Sequence, residues 1–78
     1  MAIKIVVAQA GWVFMGEYAE DDTRVILSNA QNIRQWGTTR GLGEIALRGP
    51  TPQTQLDDYG VVHILRSAVL LTIECRQP

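Results

Sequence analysis

The sequence predicts a mainly β domain with a minor helical part: a small antiparallel sheet or open barrel of about five to seven strands, with one short inserted helix. Three observations lead there. Short apolar runs alternate from side to side and are separated by turn residues. Between Trp36 and Gly49 the apolar residues recur at helical spacing instead. At 78 residues, the chain has room for a single domain, 1–78.

Ile3 to Ala10 reads as the first strand, with Ile3, Ile5 and Val7 on one face. Gly11 breaks it. Trp12 to Tyr18 reads as the second, and Gly16 inside it calls for a bulge or a close backbone approach. The acidic link Glu20-Asp21-Asp22-Thr23 has turn chemistry, and Arg24 to Leu27 follows as a third strand. Ser28-Asn29-Ala30-Gln31 reads as a further connection, because Asn29 tolerates positive φ. Asn32 to Trp36 is a short strand, with Asn32, Arg34 and Trp36 on one face.

The spacing of Leu42, Ile45 and Ala46 predicts a helix over Leu42 to Leu47, N-capped by Gly41 and closed by Gly49. Gly49-Pro50-Thr51-Pro52 is a stiff connector. Gln53 to Leu56 reads as an edge strand, and Asp57-Asp58-Tyr59-Gly60 as a turn. Val61 to Leu65 and Ala68 to Cys75 are the last two strands, joined through Arg66 and Ser67.

A chain this short buries little surface and needs extra support. One cysteine, Cys75, permits no internal disulfide, and one histidine, His63, gives no metal spacing. Oligomerisation is the remaining remedy, and 46% hydrophobic residues supply the surface for it. The formal charge of −1 argues against nucleic acid as the main partner and leaves a small anionic ligand open. No apolar run is long enough to span a membrane, and Met1-Ala2-Ile3-Lys4-Ile5 does not read as a signal peptide. The expected location is therefore cytoplasmic.

Catalysis is not expected. His63 would be the sole base, and it stands in an apolar strand without partners for a triad. Asp57 and Asp58 are adjacent acids that solvate a turn, and Cys75 reads as a buried structural thiol. No metal and no cofactor are implied. Trp12, Phe14 and Tyr18 form an aromatic cluster, read as core, ligand wall or subunit interface.

The candidate ligand-binding set is Arg34, Trp36, Gly37, Thr38, Thr39, Arg40 and Gly41. Main-chain amides in a glycine turn that enters a helix can face an anion. Threonine hydroxyls add donors, arginines add cationic forks, and tryptophan can stack on a planar ring. The segment is neither a dinucleotide fingerprint nor a P-loop. A purely structural turn explains the same residues, and both readings stay open.

Val13-Phe14-Met15-Gly16-Glu17, Val25 to Ala30, Ile33-Arg34-Gln35-Trp36, Leu42-Gly43-Glu44-Ile45-Ala46 and the closing strand with Cys75 together resemble a family of short uncharacterised proteins of tailed phages. The resemblance covers most of the chain and brings no catalytic residues. It implies a non-enzymatic binding role in the host-cell cytoplasm. The chain is similar in type to phage anti-defence proteins that sequester immune signalling nucleotides as compact homo-oligomers. The expected ligand is thus a small nucleotide-type anion. The alternative is a structural or protein-interaction module, such as a host-factor inhibitor or a virion component.

Overall fold

Five strands and one helix follow one another in a computed structural model, which describes residues 2–38 and 41–76. β1 is Ile3–Ala8, β2 Val13–Glu20, β3 Arg24–Gln35, α1 Leu42–Arg48, β4 Gln55–Leu65 and β5 Val69–Glu74. Every pairing is antiparallel, in the order β4-β3-β2-β1-β5. The fold is mainly β, one open sheet with one short helix, as the alternation of apolar residues predicts.

Two expected connections are strand instead. Ser28–Gln31 lies inside β3, and Asp57–Gly60 lies inside β4. The residues that suggested turns have the expected conformations: φ is +49° at Asn29 and +79° at Gly60. Here the left-handed residue makes a bulge rather than a reversal. The β3–β4 register shifts between Leu27 and Ala30 and again between Ala30 and Gln31, yet pairing resumes on both sides. The first strand is also shorter than expected. Gln9–Gly11 form a 3₁₀ turn, with Ala10 and Gly11 at positive φ.

Gly16 fulfils its expected role. The β2–β3 register shifts between Met15 and Glu17, opposite the Asn29 bulge. A Cβ on Gly16 would stand 3.0 Å from the Ser28 carbonyl oxygen and 3.1 Å from the Ala30 Cα.

The link from β4 to β5 explains the overall curvature. These are the two edge strands, and three residues, Arg66–Ala68, join them. Across a flat five-stranded sheet the edges would be about 19 Å apart. Four residue steps, Leu65 to Val69, reach at most about 14 Å. The sheet must therefore curl. Its inner face holds Val6, Ala8, Phe14, Val25, Leu27, Ala30 and Ile64, with Ala68 and Val69 packed against them. That face is buried without any helix on it.

α1 covers the other face. Leu42, Ile45 and Ala46 are buried against Ile5, Val13 and Ile33. Burial of Ile45, 2% exposed, stabilises the helix by about 1.5–3 kcal/mol, which a seven-residue helix needs. Gly41 is the N-cap, as the sequence predicts. The helix runs one residue past Leu47 to Arg48, and the Gly49 amide (φ +84°) donates to the Ile45 carbonyl at 2.8 Å.

Candidate functional site

The glycine segment between β3 and α1 is tied into the fold by its own polar groups. The Gly37 carbonyl accepts from Thr51 Oγ1 at 2.6 Å, and the Trp36 carbonyl accepts from Thr54 Oγ1 at 2.7 Å. Thr38 Oγ1 donates to the Gly41 carbonyl at 2.9 Å. Gly37 has φ +63°, and any Cβ there would collide with the Gln53 and Thr54 backbone. The Trp36 ring lies against Gly41, where a Cβ would sit 3.4 Å from it. Arg34 Nε donates to Asp57 Oδ2 at 2.9 Å across β3 and β4. Thr39 and Arg40 lie outside the described residues. The structure thus brings Trp36, Gly37, Thr38 and Gly41 close together and pairs Arg34 with Asp57 on β4.

A larger cleft opens at the opposite end of α1, where the helix leaves the sheet. Its volume is about 540 Å³. Ile3, Met15, Ile45 and Leu47 form apolar wall, while Asn29, Gln31, Arg48 and Arg76 are polar. Among the described residues, no acidic side chain lines it. The Asn29 bulge helps to build this site. It sets Asn29 on the cleft and lets its Nδ2 donate to Glu17 Oε2 at 2.9 Å. The chain after β5 supplies the far wall: the Cys75 amide donates to the Ile3 carbonyl at 3.0 Å and the Arg76 amide to the Ala46 carbonyl at 2.7 Å.

None of the described residues of the expected set, Arg34 to Gly41, lines this cleft. Those that do come from β1, β2, β3, α1 and the chain after β5, so no local motif marks them. The one sequence signal was chemical: Asn29 and Gly16 were recognisable as special backbone positions, though not as cleft residues.

A second cleft, about 370 Å³, lies at the mouth of the curled face between Trp12, Phe14, Tyr59, Val62, Ile64 and Ala68. Trp12 and Phe14 stack with centroids 5.7 Å apart and planes 3° from parallel. Tyr59 meets Phe14 edge-on at 5.3 Å. The third ring of the cluster is therefore Tyr59. Tyr18 packs against the same apolar cluster but pairs with Lys4, whose Nζ sits 4.3 Å from its ring centroid, and donates to Glu20 Oε1.

The remaining reactive side chains have structural partners. His63 Nδ1 accepts from Arg24 Nη1 at 3.2 Å on an exposed strand face. Asp58 accepts from Gln31 Nε2 at 3.0 Å, and Asp57 holds Arg34. Burial pushes the Cys75 thiol above its ordinary pKa, which lowers its thiolate fraction. Among the described residues no group of His, Cys, Asp and Glu could hold a metal ion, and no helix is long and apolar enough to cross a membrane.

Comparisons with protein-family models, with curated proteins and with solved structures returned no match for this chain.

Proposed function

We propose that this protein binds and sequesters a small anionic, nucleotide-type ligand without turning it over, and that the ligand occupies the cleft between the C-terminal end of α1 and the sheet. The observation that carries the reading is the composition of that cleft. An apolar wall lies beside two side-chain amides and two arginines, with no carboxylate among the described lining residues. Concave apolar sites with a few convergent polar groups are where small ligands bind. Met15 and Leu47 suit a flat ring, Asn29 and Gln31 can read its edge, and the arginines suit phosphate. The likeness of the sequence to short tailed-phage proteins fits an anti-defence role for such capture in the host cytoplasm. Exposed apolar side chains, among them Trp12 at 48% and Leu70 at 65%, support a homo-oligomer.

The test is a nucleotide mixture, including cyclic mono-, di- and trinucleotides, incubated with the pure protein. One component should disappear from solution and return unchanged on heat denaturation. A ligand held tightly must also raise the melting temperature. If no member of the panel does so, the reading fails.

A second reading, a protein-docking module, is favoured by the stacked pair Trp12 and Phe14 beside the exposed Tyr59. Loss of activity on Trp12→Ala, with full activity in Arg48→Ala, would select it.

A further inference from the structure

Arg48 and Arg76 belong to different parts of the chain, and the fold brings both to one cleft. Arg48 ends α1, and Arg76 follows β5. The three arginines Arg24, Arg34 and Arg66 are each spoken for, by Asp21, Asp57 and Glu20. Among the described residues Arg48 and Arg76 have no ion-pair partner.

Their backbones are also linked. The Arg76 amide donates to the carbonyl of Ala46, two residues before Arg48. This bond matters electrostatically. The C-terminal end of a helix carries partial negative charge that would oppose an anion. Here two of its last carbonyls, Ile45 and Ala46, accept from Gly49 and Arg76. Among the described residues the cleft lining holds two guanidinium groups and no carboxylate, and Glu17 and Asp58 are engaged by the lining amides of Asn29 and Gln31.

Resting on the binding reading above, we infer that Arg48 and Arg76 form a two-armed clamp on one phosphoryl group of the ligand. The same anion thereby fastens the end of α1 to the chain that leaves β5. Two guanidiniums sharing one phosphate make charge-assisted, fork-type hydrogen bonds. The clamp selects a nucleoside phosphate over the nucleoside, and it couples ligand capture to the order of the α1–β5 junction.

The probes are adenosine 5′-monophosphate, adenosine and inorganic phosphate, on wild type, Arg48→Ala, Arg76→Ala and the double variant. Both arginines are exposed, so the variants retain the fold. The monophosphate should raise the melting temperature more than adenosine or phosphate alone. Each single variant should weaken its binding about tenfold or more. The double variant should lose less than the product of the two, because groups that share one partner are not additive. Hydrogen exchange at the Arg76 amide should slow on binding. Equal binding of adenosine and the monophosphate, unchanged in the variants, overturns the clamp and leaves the cleft reading standing. Additive losses also overturn it. If no probe shifts the melting temperature, the clamp is overturned, and the wider nucleotide panel decides the binding reading separately.

Discussion

Asn29 and Gly60 are diagonal neighbours on the β3–β4 ladder: Gly60 pairs with Ala30, the residue after Asn29, and both Asn29 and Gly60 have positive φ. Two left-handed residues on facing strands let an eleven- and a twelve-residue strand bend together without parting. Gly60 has open space around the position of a Cβ, so an alanine there is opposed by φ alone. Gly60→Ala should cost about 1–2 kcal/mol, read by chemical denaturation. Asn29→Gly should change stability by less, since it relieves φ while losing the bond to Glu17. A larger loss for Asn29→Gly than for Gly60→Ala would contradict this account.

The loop before α1 should respond differently. At Gly37 a side chain meets both an unfavourable φ of +63° and the backbone of Gln53 and Thr54. Gly37→Ala should therefore cost more than Gly60→Ala, roughly 3 kcal/mol or above, in line with strain plus overpacking. Thr51→Val removes the donor to the Gly37 carbonyl and should cost about 1 kcal/mol. Thermal melts of the three variants check the order. If Gly37→Ala is as stable as wild type, the loop is not pinned as described.

Acid sensitivity should come from the β2–β3 turn. Asp21 Oδ1 accepts from the amides of Thr23 at 2.9 Å and Arg24 at 2.7 Å. These backbone bonds, with Arg24 beside them, hold its carboxyl below the ordinary value of 3.8. A group whose pKa is lowered by folding contributes stability above its unfolded pKa, lost as pH falls through the folded value. The contribution should be complete near neutrality and fade below about pH 4. Asp21→Asn should flatten that part of the stability curve. A variant with the same acid-limb slope as wild type would exclude Asp21 as its source.

Much of the fold was legible because local chemistry and tertiary structure agree. Leu42, Ile45 and Ala46 show helical spacing and do pack on the sheet, and Gly41 and Gly49 do bound the helix. Gly16 announced a close approach that the structure contains. Asn29 and Gly60 misled for a physical reason. A tight turn and a bulge require the same left-handed residue, and only pairing on both sides tells them apart. The cleft was not legible at all. Met15, Arg48 and Arg76 are far apart in sequence, and their meeting depends on where α1 rests against β1 and β5. The Trp36–Gly41 segment stood out in the sequence because turns and anion sites draw on the same glycines and threonines; among its described residues, Trp36 and Gly37 are bound by Thr54 and Thr51, and Thr38 bonds to Gly41.

The pairing of β1 with β5 makes the sheet depend on a contact between strands remote in sequence. Ile5 reaches its full surroundings only when Ile73 lies beside it. Without β5, β1 has one open side. Such non-local closure is intrinsically slow. The cleft shares this dependence, since Cys75 and Arg76 complete its wall. The wall of the cleft and the sheet are completed by the same closure.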